Sequence, residues 1–219
     1  MIKKISYKDQ IYDHLKQAII MGEMKSGEIY SEQMIADKLN VSRTPVREAV
    51  LQLRFENLVD VFGGRGFSVR PINFSDIQQI IQARTAIESA SLRALIIGLD
   101  TAEGQEILEQ MEQCIKHDMP DALSDKSNYN FMRADMEFHS LSISFTGNEF
   151  FIRMMNIMRT RLEQAMFSSL TPQRRNIAAI DEHEKIFFAV RRRDTDGAIR
   201  AFVDHMITTE NILREIMDD

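Results

Sequence analysis

The chain has 219 residues, of which 44% are hydrophobic, 9 are glycine and 4 are proline, so it is globular material for one large or two small domains rather than a disordered or collagen-like protein. Its formal net charge of −6 argues against nonspecific nucleic-acid binding. The charge is uneven, because residues 1–70 carry 11 Lys and Arg against 9 acidic residues and the rest carries 16 against 24. Only the N-terminal third is expected to face a polyanion.

The sequence gives three indications of cellular location. The single cysteine, Cys114, excludes an internal disulfide, and the first residues lack the apolar segment of a secretory signal. No run of 18 apolar residues is available for a membrane-spanning helix. We therefore expect a cytoplasmic protein with no membrane partner.

Three helices and a hairpin are predicted in the N-terminal third. Apolar residues recur at helical spacing over 7–21. Ser31 and Ser42 are typical N-cap residues, and they predict a second helix over 32–39 and a third that begins directly after Ser42. The runs LVDVF and FSVR, on either side of GGRG at residues 63–66, then predict a small β-hairpin.

The remainder of the chain is predicted to be helical throughout, as a bundle of about six helices. Asn73 and Asp76 resemble a capping box at its start. The apolar-periodic segments are 74–97, 102–117, 121–146, 148–169, 172–193 and 195–217, with breaks at Gly98-Leu99-Asp100, Met119-Pro120, Gly147-Asn148 and Thr171-Pro172. We predict a mostly α protein with two domains, 1–72 and 73–219.

The second and third helices have the spacing of a helix-turn-helix. A tight turn at Asn40-Val41 separates them, and the N-terminal residues of the third helix are those that such motifs offer to the major groove of DNA. Arg43 and Arg47 lie four residues apart on one helical face, where arginine binds guanine bidentately or holds phosphates. The alternative interpretation is an ordinary three-helix domain with surface arginines.

Further candidate contacts lie beside these arginines and in the hairpin turn. Ser42 and Thr44, with the free amides at the helix start, suit a phosphate. The turn glycines Gly63, Gly64 and Gly66 permit close approach of the backbone to DNA, and Arg65 between them is placed to enter the minor groove. The hairpin is therefore interpreted as a wing.

Taken together, residues 5–72 resemble the winged helix of the GntR regulators. The family's recognition-helix pattern is present without a gap as VSRTPVREAVLQL, from Val41 to Leu53. The resemblance implies a homodimer on a short palindromic DNA operator, with Arg43, Thr44, Arg47 and the wing glycines at the DNA. Gln33 stands where the family often has arginine, and it could still bond a phosphate or a base.

Three histidines and one aspartate are predicted to point into the helical bundle. Asp135 and His139 lie four residues apart, while His183 and His205 lie on the apolar sides of two other predicted helices. A buried imidazole or carboxylate needs a partner, and one divalent metal ion would satisfy all four groups. The donor set favours zinc, with nickel and manganese as alternatives. The competing interpretation is a buried polar network without metal.

Residues 74–219 resemble the all-helical effector domain of the FadR branch of the GntR family, in its shorter six-helix form. The likeness lies in FHSLSISFTGN, from Phe138 to Asn148, and in the spacing of Arg84 and Glu88. It implies that Asp135, His139, His183 and His205 bind a metal ion.

A small carboxylate is the effector that such a centre favours. The ion would leave coordination positions open for one carboxylate oxygen, and Arg84 is a candidate to bind the other. Alternatively, Arg84 forms only a salt bridge to Glu88.

These features together predict a transcription regulator that responds to a ligand. The metal itself could be the signal, or it could be purely structural. A metal-dependent hydrolase is the alternative from another class, with Glu182 or Glu184 as the base. We predict that the chain is not an enzyme, because an enzyme has no use for the winged helix.

Overall fold

Three helices and a three-stranded antiparallel sheet form the N-terminal unit, which ends at Ile72. The computed structural model describes residues 6–123, 129–168 and 173–218. The elements of this unit are α1 (Tyr7–Ile20), β1 (Ile29–Tyr30), α2 (Glu32–Leu39), α3 (Arg43–Phe55), β2 (Val59–Phe62) and β3 (Gly66–Val69). In the sheet, β3 lies between β1 and β2.

The core of this unit fixes the orientation of α3. Val46, Ala49, Val50 and Leu53 are fully buried and pack with apolar residues of α1 and the sheet. Asn40 ends α2 in the left-handed conformation, which asparagine tolerates better than most residues, and so forms the tight turn before α3. The turn and the buried stripe together leave the first residues of α3 exposed.

One strand of this sheet is absent from the sequence-based prediction. The sequence predicts only the strands of the hairpin in this unit, whereas Ile29 and Tyr30 also form a strand, β1, and pair with Ser68 and Phe67 of β3. The predicted hairpin of β2 and β3 is confirmed.

The second unit begins at Asn73 and is helical. Its helices are α4 (Phe74–Gly98), α5 (Ala102–Gln113), α6 (Met119–Ala122), α7 (Tyr129–Phe145), α8 (Glu149–Ser168), α9 (Gln173–Arg191) and α10 (Thr195–Asp218). The predicted capping box is confirmed: the Asn73 side chain accepts from the Asp76 amide at 2.9 Å, and the Asp76 carboxylate accepts from the Asn73 amide at 3.2 Å.

The predicted break at Met119-Pro120 is wrong. A π-helical turn, Cys114–Asp118, joins α5 directly to α6, and Pro120 lies in the first turn of α6, where proline needs no amide partner. The predicted break at Thr171-Pro172, and part of the helix predicted over 121–146, lie outside the described residues. The breaks predicted after Gly98 and around Gly147 are confirmed.

Four of these helices surround the candidate site. α4 packs on α7 and α10, and α9 packs on α10 and α4. Within the described residues, no helix combines the length and the apolar character needed to cross a membrane.

Candidate functional site

Asp135, His139, His183 and His205 come together inside the helical unit. Asp135 and His139 lie on α7, His183 on α9 and His205 on α10. All four side chains are buried, and each offers one ligand atom within 4.8 Å of the others. Three helices that are distant in sequence thus supply one compact Asp/His3 group that could hold a metal ion.

The distances between the donor atoms fit a shared ion. His139 Nε2 lies 3.1 Å from His183 Nε2 and 3.2 Å from His205 Nε2. Asp135 Oδ1 lies 3.3 Å from His183 Nε2. Two imidazole nitrogens that are each about 2.0–2.1 Å from one zinc ion lie about 2.9–3.4 Å apart, depending on the bond angle. These donors therefore need little movement to become ligands.

The other nitrogen of each imidazole is bound by an oxygen. His139 Nδ1 lies 2.7 Å from Glu88 Oε2, His183 Nδ1 lies 2.6 Å from the Ala179 carbonyl oxygen, and His205 Nδ1 lies 2.6 Å from Glu182 Oε2. Carbonyl and carboxylate oxygens that accept from the outer nitrogen of a histidine orient the ring in metal centres and set its tautomer. All three histidines of the site have such a partner.

The oxygens beside the outer nitrogens favour tautomers that leave Nε2 free to bind a metal ion. A neutral imidazole has one N–H, and an oxygen acceptor beside Nδ1 favours the tautomer that carries the hydrogen there. In that tautomer the Nε2 lone pairs face one another at hydrogen-bonding distance. A cation among them turns this repulsion into coordination, so the donor set fits a divalent metal.

Burial and the neighbouring charges keep His139, His183 and Asp135 in the protonation states that bind metal. Burial lowers the pKa of His139 and His183 well below the usual value. Burial alone would raise the pKa of Asp135, but the neighbouring imidazoles and Arg84 outweigh it and the pKa is lowered. His139 and His183 are therefore neutral and Asp135 is ionised at neutral pH.

Acidification is expected to destabilise the metal-free helical unit. His139 and His183 have folded pKa values below the usual 6.5, so below that pH the unfolded chain binds more protons than the folded chain. The free energy of unfolding of chelator-treated protein should therefore fall between about pH 7 and about pH 5, as measured by urea unfolding. The dependence should weaken in the His183→Ala protein, and a flat wild-type profile would contradict the buried neutral imidazoles.

Arg84 forms the salt bridge expected from the sequence, whereas its contact with an effector stays a prediction. Its Nε donates to Glu88 Oε1 at 2.6 Å, which is the predicted salt bridge. Its Nη2 is buried, and within the part of the chain that the structure describes no hydrogen-bond partner reaches that atom. The guanidinium thus keeps one donor available inside the protein.

A cavity of about 40 Å³ adjoins the Asp/His3 group. Its polar lining includes Arg84, Asp135, His205, Arg175 and Thr209. The rest is largely apolar, from residues such as Phe131, Met136, Leu162, Met206 and Leu213. Two potential metal ligands and one buried guanidinium therefore meet at one small, mostly apolar space.

Several residues that support the site have a role that the sequence does not predict. Glu88, expected only beside Arg84, also holds His139. Glu182, considered as a catalytic base, instead contacts His205 Nδ1 and accepts hydrogen bonds of 2.9 Å from both Nη atoms of Arg175. These bonds outweigh burial and lower the pKa of Glu182 to about 2, so it is a poor base. Glu184 is exposed, unlike the buried group.

The predicted DNA contacts of the N-terminal unit lie around the start of α3. Ser42 is the N-cap residue of α3, but its side chain makes no capping hydrogen bond. Ser42, Thr44 and Arg47 are exposed. Arg43 is exposed too, and its guanidinium pairs with Glu32 of α2. Four candidate side chains thus share one accessible end of the helix.

The remaining candidate DNA-contact residues lie on α2 and in the hairpin turn. Gln33 is exposed, and its amide nitrogen donates to Asp37 at 2.8 Å. Gly64 has a positive φ of 73°, which the turn requires, and Arg65 is exposed. Gly66 is constrained by packing, because a Cβ atom there would collide with the carbonyl oxygen of Tyr30 in β1. The unexpected strand therefore supplies a structural reason for this glycine.

Comparison with known proteins agrees with this architecture. The family model described as "FCD domain" matches residues 79–208, and the one described as "Bacterial regulatory proteins, gntR family" matches residues 7–69. The HTH-type transcriptional regulator YdhC of Bacillus subtilis is 24% identical over 223 residues, covering 99% of this chain and 95% of that protein. The HTH-type transcriptional repressor RspR of Escherichia coli is 25% identical over 210 residues, covering 96% and 90%.

A solved structure shows the same fold. The structure of E. coli McbR/YncC superposes with a TM-score of 0.81 at 18% identity, covering 97% of this chain and 99% of that one. The relatives are transcription regulators and not enzymes, in agreement with the prediction from sequence. The chain belongs to the GntR family of bacterial transcription regulators, with a helical FCD domain behind its winged helix.

Proposed function

We propose that this regulator is a homodimer that binds a palindromic operator and changes its operator affinity when a small carboxylate binds beside a divalent metal ion. In this proposal residues 1–72 contact DNA, and residues 73–219 bind the metal and the effector and form the dimer. The observation that carries it is the convergence of three Nε2 atoms and one carboxylate beside the buried Nη2 of Arg84, which has no hydrogen-bond partner among the described residues.

The charge of the site supports an anionic ligand. The carboxylates of Asp135 and Glu182 match the two guanidinium groups, Arg84 and Arg175, and burial raises the pKa of Glu88 against the opposing effect of Arg84. With a divalent ion bound, the site is therefore positive whether or not Glu88 is ionised. An anionic ligand offsets this positive charge, which is the arrangement that burial favours.

The size and polarity of the cavity define the class of effector. A volume of about 40 Å³ accommodates about three water molecules, or a ligand of a few heavy atoms. One carboxylate oxygen would take a coordination position on the ion, and the other would accept from Arg84 Nη2, as arginine does in carboxylate recognition. The apolar lining suits a short hydrocarbon portion.

Metal analysis of the purified protein, followed by a thermal-shift screen of short carboxylic acids, tests the proposal. We expect one divalent ion per subunit, zinc in the first place, and a rise in the melting temperature with a short carboxylate that chelator treatment removes. Operator binding measured with and without that acid then shows regulation. A response to chelator alone, with none to any acid, would make the metal the signal and contradict the effector part of the proposal.

The Arg84→Lys protein is expected to retain its metal ion and to lose carboxylate affinity. Lysine keeps a positive charge beside Glu88 but lacks the fork that binds two acceptors. Loss of one charge-assisted hydrogen bond of about 1.5–3 kcal/mol weakens binding about 10- to 150-fold. Calorimetric titration measures the effect, with Arg93→Lys, an exposed position on the same helix, as control. Unchanged affinity would exclude Arg84 from the effector site.

A dimer is expected in solution. One winged helix reads a half-site, and two-fold symmetry places the second recognition helix about one DNA turn, roughly 34 Å, away. Sedimentation velocity at micromolar concentration should give the mass of two chains. A monomer both with and without DNA would contradict the homodimer.

A further inference from the structure

Glu32 has an unusual environment for a charged residue of a small DNA-binding unit. It is the first residue of α2 and is only 7% exposed. Its Oε2 accepts from Arg43 Nε at 2.8 Å and lies 2.8 Å from Arg43 Nη2. The Arg43 side chain, by contrast, is 57% exposed. The buried carboxylate of Glu32 on α2 therefore binds the Nε and Nη2 atoms of the exposed Arg43 guanidinium on α3.

The geometry of this pair determines which edge of Arg43 faces outward. A guanidinium can bind bidentately through its Nε–Nη2 edge or through its Nη1–Nη2 edge. Glu32 occupies the first edge with a single oxygen atom. One hydrogen of Nη1 and one of Nη2 form the second edge, and these two donors match the O6 and N7 acceptors of guanine.

We propose that Glu32 is a positioning residue for DNA recognition: it holds Arg43 so that the Nη1–Nη2 edge reads a guanine in each operator half-site. This inference rests on the proposed function, in which Arg43 contacts the operator. Glu32 also neutralises Arg43, so the pair adds little to attraction by phosphates. Arg43 then contributes to sequence discrimination more than to general affinity for DNA.

Selection from a randomised duplex library with the full-length protein tests the inference for any operator sequence. The Arg43→Ala protein should lose its base preference at one position of each half-site. The Glu32→Gln protein, which loses the charge but keeps the shape, should relax the preference at that same position only. Glu23→Gln, which removes one charge from an exposed turn, should select the wild-type sequences.

Titration of the selected duplex and of an unrelated duplex provides the quantitative measurement. Glu32→Gln should lower the ratio of specific to nonspecific affinity by about tenfold, the lower range for one base contact. It should also steepen the salt dependence of nonspecific binding, because Arg43 becomes free to contact a phosphate. In the Arg43→Ala background, Glu32→Gln should change nothing further, since its effect acts through Arg43.

The Nε–Hε resonance of Arg43 gives a second test, which does not depend on how well the Glu32 variant folds. The bond to Glu32 should keep this proton in slow exchange in the free protein and in the complex with the selected duplex. If the bond breaks on DNA, or if Glu32→Gln keeps the wild-type preference while Arg43→Ala loses it, the inference is wrong. If Arg43→Ala itself selects the wild-type sequences, the proposed recognition helix is wrong instead.

Discussion

The His183→Ala protein is expected to lose almost all of its bound metal. His183 is 0% exposed, and its Nε2 lies within 3.3 Å of both His139 Nε2 and Asp135 Oδ1, so alanine leaves a central gap in the donor set. Loss of an outer-shell partner alone costs about 10- to 100-fold in metal affinity, and loss of a direct ligand costs more. Metal content, measured by mass spectrometry after desalting, should fall from one ion per subunit to a small fraction.

Two variants calibrate this result. His117→Ala removes an exposed histidine of the same helical unit and should retain the full metal content. Glu182→Gln leaves all four donors but weakens the orientation of His205, so an intermediate loss is expected. If His183→Ala and His205→Ala both retained one ion per subunit, the four residues would be a buried polar network without metal.

The candidate metal centre illustrates what the sequence can predict. Helical spacing is sufficient to direct Asp135, His139, His183 and His205 inward, because each lies on the apolar side of a helix. The carboxylates that hold the outer nitrogens are not predictable in the same way. Glu88 and Glu182 belong to a residue type that normally faces solvent, and their partners lie 51 and 23 residues away in sequence.

In the fold, likewise, features set by neighbouring residues are predictable from the sequence, whereas features set by tertiary contacts are not. The helix starts after Ser31 and Ser42 and the capping box at Asn73 are predictable from neighbouring residues, although neither serine side chain makes a capping hydrogen bond. Strand β1 has two residues, too few for a periodic pattern, and it exists because β3 offers a pairing edge. The π-helical turn and the pair of Glu32 with Arg43 also depend on tertiary packing that local patterns do not contain.

Specific operator binding is expected to be lost when Arg43 and Arg47 are both replaced by alanine. Both side chains are exposed at the start of α3, so their removal should leave the buried stripe of that helix intact. A good bidentate base contact contributes about 1–3 kcal/mol, and a dimer loses it twice, which weakens binding by roughly 30-fold or more. Gel-shift titration with a selected duplex measures the loss.

The controls for this prediction lie on the same unit. Arg54→Ala removes an exposed arginine at the far end of α3 and should have a small effect. Arg65→Ala should weaken binding to all sequences and reduce the salt dependence, since a wing contact is mainly electrostatic. Wild-type affinity of the Arg43→Ala and Arg47→Ala double variant, with an unchanged circular dichroism spectrum, would show that α3 is not the recognition helix.

Helix α4 gives the proposed effector site a stiff covalent path toward the DNA-binding unit. It begins directly after Asn73, where the capping box leaves no flexible turn between cap and helix, and Arg84 lies eleven residues further along. At 1.5 Å per residue this is about 16 Å of hydrogen-bonded backbone. In the proposed function, Arg84 would therefore contact the effector from the same continuous helix whose N-cap residue follows the end of the DNA-binding unit.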